Sequence, residues 1–308
     1  MVDSTWFDEF PVLAKLPPSQ AAAKLQELGE EELAEALVKS AGAEKRGPTF
    51  GVLGGLFPAK AWQHTAHAFG YIPPMRAGQE WLPVEHAGNI KPDATLKNSR
   101  IKITLDRLRV AEYPGGGTHR ILFDFYAQNQ VPGSVEHLHF NATYRSHEGE
   151  EAAIIGFPIF IGLNIGAEGV AFKCYTVNVK NEDDEALLGF LDTDVFRAGL
   201  KLVSTVQPAI APLSGIAVAL TKSIAGRHRN VPVQEFYMGL DFGNVATGAR
   251  LAAGSYVAVQ IPASLQRVWD WSQWGYHMSS GQLLAKDDSK EMIPYNYIVF
   301  GVSRYSNE

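Results

Sequence analysis

His137 and His139 stand two residues apart in Glu136-His137-Leu138-His139-Phe140, a spacing that projects both imidazoles from one face of a β-strand. Two imidazoles side by side are the beginning of a divalent-metal site, and His147 or Glu148 is the nearest further ligand in sequence. Such a metal would activate water or bind oxygen, the chemistry of a metal-dependent enzyme. Two histidines do not complete a coordination sphere, so a polar strand face is the stronger expectation, with no cofactor. His64 and His67, three apart, would share a helix face, but no glutamate base or third ligand adjoins them. The acidic set Glu182, Asp183, Asp184, Glu185, Asp192 and Asp194 lacks the spacing and central glycine of a calcium loop. Asp183 and Asp194 each precede a predicted helix and read as caps. Cys174 lies on an apolar strand with no histidine beside it in sequence and reads as a buried, inert thiol.

A second group of residues suits binding rather than bond-making. Trp269-Asp270-Trp271-Ser272-Gln273-Trp274 places three tryptophans in six residues, and on a strand Trp269 and Trp271 would share a face. A platform of that kind, with Arg145 on the polar face that carries His137 and His139, is the predicted binding surface: Trp269, Trp271, Trp274 and Arg145. The competing expectation, that the tryptophans close the core, is the stronger one, because exposed tryptophan pairs need a partner. The His-x-His strand is similar to that of cupin barrels. Where that family places a glutamate a few residues on, this chain has Thr143 and Tyr144.

The elements that must position these groups are mostly strands. Ile101, Ile103 and Leu105 alternate with Lys102, Thr104 and Asp106, and a turn at Pro114-Gly115-Gly116-Gly117 leads to a strand over Arg120 to Gln128, predicting a hairpin. In Glu136 to Arg145, Leu138, Phe140, Ala142 and Tyr144 share one face and His137, His139, Asn141, Thr143 and Arg145 the other. The nearly uncharged stretch from Ala152 to Phe172 is broken by Gly156, Pro158, Gly162, Gly166 and Gly169, which favours two buried strands, Ile154 to Leu163 and Gly169 to Val179, over a membrane helix. Pro17-Pro18-Ser19 opens two short helices separated by Gly29. A stripe from Leu202 to Ile224, interrupted by Pro208 and Pro212, predicts helices over Val195 to Val206 and Leu213 to Ala225. Strands resume at Val233 to Phe242, Gly254 to Ile261, Val268 to His277 and Tyr295 to Ser303.

The resulting fold class is mainly β: an antiparallel β-sandwich, C2-like or jelly-roll-like, with an N-terminal helical hairpin over 1–45 and a helical pair inserted near 182–226. Residues 46–98, rich in glycine and proline, read as an irregular connector with one helical turn at Trp62 to Phe69, and 99–308 as the sandwich. Lys102 to Ala127 resembles the opening strands of C2-type sandwiches over under a tenth of the chain. The acidic calcium pattern of that family has no counterpart here, so the resemblance implies architecture alone.

Composition narrows the partners. A formal charge of -6, with Arg227-His228-Arg229 as the one dense basic patch, argues against nucleic acid. A single cysteine and the absence of a secretory pattern in Met1 to Phe10 fit a cytoplasmic location. With no assembled catalytic constellation, the sequence favours a non-catalytic binding or scaffold protein with a protein partner, self-association or a small ligand. The alternatives are the His137/His139 metal enzyme and a membrane-active protein that exposes 152–172 and 214–226.

Overall fold

The computed structural model describes residues 6–41, 50, 58–75, 78–152, 154–192, 199–202, 210–243, 248–288 and 290–306. Two helices open it, α1 (Pro18–Glu27) and α2 (Glu31–Ala41). Pro18 starts α1 where no backbone donor is needed, and Gly29 at φ +79° ends it, with Gly29 N–H on Gln26 O and Glu30 N–H on Leu25 O. The strands follow in chain order: β1 (Ala66–Ile72), β2 (Trp81–Pro83), β3 (Glu85–His86), β4 (Arg100–Val110), β5 (Thr118–Val131), β6 (Ser134–His147), β7 (Glu150–Glu151), β8 (Phe157–Asn164) and β9 (Val170–Val179). After α3 (Glu185–Gly189) come β10 (Leu200–Lys201), α4 (Ile210–Ala225), β11 (Asn230–Asp241), β12 (Ala249–Arg250), β13 (Gly254–Ile261), β14 (Trp274–His277), β15 (Gln282–Ala285) and β16 (Tyr297–Arg304).

Three sheets result, a β-rich fold with helical insertions. The large one runs β10-β8-β4-β16-β13-β1-β3, with β7 also on β4; the second runs β12-β11-β9-β5-β6; and β15-β14-β2 form a small third. The first two turn apolar faces toward one core. Phe123, Phe125, Phe140 and Phe172 of the five-stranded sheet are fully buried with Ile103, Leu105, Tyr256 and Phe300 of the large one. Rings meet across the gap, Phe125 and Phe172 each at 5.7 Å from Phe300. Each such phenyl contributes about 1.5–3 kcal/mol by leaving water. Cys174 lies in the same layer, where burial pushes its thiol up, as an inert thiol requires.

Several sequence expectations are corrected here. Pro114 to Gly117 does not close a hairpin: β4 belongs to the large sheet and β5 to the five-stranded one, so the turn carries the chain between layers. Alternation is the same in either sheet and does not say which one a strand joins. The hairpin is β5–β6, closed by Pro132-Gly133, with Gly133 at φ +80° and Val131 paired to Ser134. The span 46–98 is no connector throughout, because β1 lies inside the large sheet beside β13 and β3. The helical turn expected at Trp62 to Phe69 is a 3-10 turn, Ala61–Gln63, followed by that strand. The helix expected over 195–206 falls largely outside the described residues, and Leu200–Lys201 is extended, parallel to β8. The strand expected over 268–277 shrinks to β14, preceded by the 3-10 turn Trp271–Gln273.

The outer face of the five-stranded sheet is covered. α4 and the N-terminal residues Phe7 and Val12 pack on Leu122, Tyr126, Tyr175 and Val177 as a second apolar cluster that includes Leu220 and Ile224. On the outer face of the large sheet the third sheet and Trp271 cover Ala68, Val257, Val259 and Val299, and hollows open beside them around Asp106 to Arg109. No helix among the described residues is long and apolar enough to cross a membrane.

Candidate ligand cleft

β4 builds the open site through a break in its own alternation. Ile101, Ile103 and Leu105 enter the core while Lys102 and Thr104 point away from it. Against β16, Leu105 pairs with Phe300 but Arg107 pairs with Val299, so Asp106 is an extra, bulged residue. The bulge resets the phase. Leu108 and Val110 return to the core, and Asp106, Arg107 and Arg109 are all left to the outer face.

Each of the three charges is held differently. Asp106 Oδ1 accepts from Thr104 Oγ1 at 2.7 Å and Oδ2 from Ser255 Oγ at 3.1 Å. Burial nonetheless pushes its carboxyl above the usual range, with the hydroxyls and Arg107 and Lys102 pulling the other way. Arg107 donates from Nε to Gly281 O at 2.9 Å and from Nη1 to the carbonyls of Asp106 and Ile154, at 2.7 and 2.8 Å. Gly281, at φ +69°, lets the β14–β15 turn lie on that guanidinium, since a Cβ there would stand 2.3 Å from Arg107 Nη2. Arg109 donates to Ile293 O at 3.2 Å, Gly149 O at 2.5 Å and Met292 Sδ at 3.4 Å. Glu151 lies 3.8 Å from Arg107 and accepts from the Tyr297 hydroxyl, whose own ionisation burial and that carboxylate push well up.

Two adjoining hollows flank this row, and Arg107 and Ile155 line both. The smaller, about 280 Å³, has apolar walls of Ile72, Pro73, Pro74, Met75, Leu82, Met278 and Val299, with Asp106, Ser255 and Tyr276 as polar groups. Burial raises the Tyr276 phenol, opposed by Arg107. The larger, about 710 Å³ and open, is lined by Arg109, Glu150, Glu151, Ser280, Gln282 and Met292 among others. At the rim, the turn after β14 places Ser279 Oγ 3.2 Å from His277 Nε2, with Ser280 Oγ 2.9 Å from Nδ1.

The residues singled out by sequence lie elsewhere. His139 is buried beneath α4: its Nδ1 is 2.9 Å from Asp124 Oδ1, and its backbone N–H donates to Ser214 Oγ at 3.0 Å. Asn141 and Thr221 complete that set, donating to Asp124 Oδ2 at 3.2 and 2.9 Å. His137 Nδ1 bonds the Tyr126 hydroxyl at 2.6 Å, and His147 Nδ1 bonds Thr118 Oγ1 at 3.1 Å. Among the described residues no three histidine, cysteine or acidic side chains are placed to share a metal. Lys173, on the same covered face, lies 3.4 Å from Glu235 and over the rings of Phe7 and Tyr237, at 3.8 and 4.0 Å; burial lowers its pKa.

Trp271, and Trp274 of β14, are buried between the third sheet and the large one, with half-buried Trp269 stacked 6.1 Å from Trp274. Trp271 packs so closely on β1 that a Cβ at Gly70 would stand 2.9 Å from its ring. The tryptophans therefore pack one against another rather than forming a flat exposed platform. Arg145 is exposed, opposite Arg120 on β5, beside a separate hollow of about 220 Å³. His64 and His67 do not share a helix; His67 is buried on β1, and burial lowers its pKa to about 3. Asp183 is no cap for α3; Asp184, fully buried, takes Arg227 and Asn230 instead, while Asp194 is outside the described residues.

Comparison with family models, with curated proteins and with solved structures finds no match for this chain.

Proposed function

We propose that this chain is a non-catalytic binding protein whose cleft on the outer face of the large sheet takes a small ligand with an apolar body. One observation carries the reading. Ile155 and Met75, 85% and 70% exposed, are the two most exposed large apolar side chains among the described residues, and both line the smaller hollow. Apolar surface held in water beside an apolar-walled concavity is what a bound ligand body would cover. Asp106, Ser255 and Tyr276, at fixed points of that wall, supply the few polar contacts that orient such a ligand.

Titration with the neutral, polarity-sensitive dye N-phenyl-1-naphthylamine tests this. Native protein is expected to bring a saturable gain in emission. Met278→Trp, which adds bulk to the lining of the smaller hollow, is expected to weaken dye affinity about tenfold or more while leaving the far-UV spectrum unchanged. No gain with native protein, or an unchanged affinity in the folded variant, overturns the reading. Labelling of Ser279 by a fluorophosphonate would instead turn the rim pair with His277 into a candidate for acyl transfer.

A further inference from the structure

We infer that the ligand of this cleft is a carboxylic acid with an apolar body, its carboxylate seated on Arg109. This deepens, and rests on, the reading of the cleft as a ligand site. Arg109 is only 7% exposed, yet its hydrogen bonds run to neutral acceptors alone: the carbonyls of Ile293 and Gly149 and the thioether of Met292. The carboxylate best placed to neutralise it is turned elsewhere. Glu151 stands directly across from Arg109 in the β4–β7 ladder, but its oxygens address Arg107 and the Tyr297 hydroxyl. Among the described residues Arg109 has no ion-pair partner.

A guanidinium keeps its charge at any physiological pH, and a buried charge is costly until something of opposite sign meets it. The side on which that can happen is the larger hollow, which Arg109 lines. Charge and shape narrow the anion. The charges lining the hollow, Arg107 and Arg109 against Glu150 and Glu151, cancel in sum, so a monoanion that contacts the Arg109 guanidinium directly adds the least excess negative charge, while a phosphate dianion would add twice as much. A planar carboxylate suits the arginine fork. Because Arg107 and Ile155 line both hollows, a body attached to that carboxylate can pass them and lie in the apolar smaller one.

The test uses the full chain at pH 7.5, with N-phenyl-1-naphthylamine bound and displaced by decanoate or by decanol, which share a chain length and differ in charge. Decanoate is expected to displace the dye at about tenfold lower concentration than decanol from native protein. In Arg109→Gln that preference is expected to disappear while decanol binding is kept. Glu151→Gln, which removes a competing negative charge, is expected to strengthen the decanoate preference severalfold. Equal displacement by the two compounds from native protein, with dye binding intact, overturns the carboxylate inference and leaves the cleft standing. Failure of the dye itself to bind overturns the cleft. Should Arg109→Gln not fold, an unchanged preference in Glu151→Gln overturns the inference on its own.

Discussion

The outer faces of the two main sheets carry similar raw material and treat it in opposite ways. On the five-stranded sheet, Asp124, His139 and Asn141 are sealed under α4 and bonded to its Ser214 and Thr221. On the large sheet, Asp106, Arg107 and Arg109 border open hollows, and Arg109 has no counter-ion among the described residues. Residue types that look catalytic in sequence are thus the ones that fix a helix in place. Buried polar groups bonded across an interface specify packing, whereas a buried charge left open to a cavity is the feature on which the proposed ligand site rests.

The largest expected effect breaks the sealed side. Asp124→Ala leaves His139, Asn141 and Thr221 without their shared acceptor and should cost about 3–5 kcal/mol in urea unfolding. Dye binding under native conditions should not change, and a parallel loss of dye affinity would show the two faces to be coupled. The second effect, by acid, sets the layer between the sheets against the two outer faces. His119 of β5, in phase with Ile121 and Phe123, and His67 of β1, against Phe236, are buried there, which holds their pKa values at about 4 and about 3, so the unfolded chain takes up protons first. Stability from these groups is whole above pH 6.5 and lost as pH falls from there toward 4, at about 1.4 kcal/mol per pH unit for each histidine. His119→Asn should lower that slope in unfolding midpoints measured across the range. The smallest effect has the opposite sign and lies on the open side. Asp106→Asn removes a charge that burial disfavours while its amide oxygen accepts from one of the Thr104 and Ser255 hydroxyls and its amide N–H donates to the other, so a gain of up to about 1 kcal/mol is expected in the same assay.

How much of this was legible in the sequence differs by level. The strands between Arg100 and Val179 follow from alternation, and the N-terminal helices from Pro18 and Gly29. Partnership was not legible, because β4 finds β16 across nearly the whole length of the β region, and periodicity is silent about neighbours. β1 was missed because seven residues of Ala-His-Ala-Phe-Gly-Tyr-Ile, buried at most positions, alternate poorly. The open site did leave a trace. Leu105-Asp106-Arg107-Leu108 sets two charged residues together inside an otherwise strict alternation, the pattern a bulge produces, and it marks the strand that borders the proposed cleft. Nothing local reveals that α4 comes to lie over His139, since that contact joins residues 75 positions apart.

The crossing of the chain between layers also dictates an order of events during synthesis. β5 pairs with β6 and with β9, and all three strands are available as soon as residue 179 has emerged. The large sheet can begin only in part: β4 pairs with β8 early, but its other neighbour β16, and β13 beside β1, are made much later. Until Tyr297–Arg304 arrives, the phenylalanine-rich inner face of the five-stranded sheet is faced by β4 and β8 alone, and the far edge of β4 stays unpaired, an interval in which the nascent chain is exposed to aggregation.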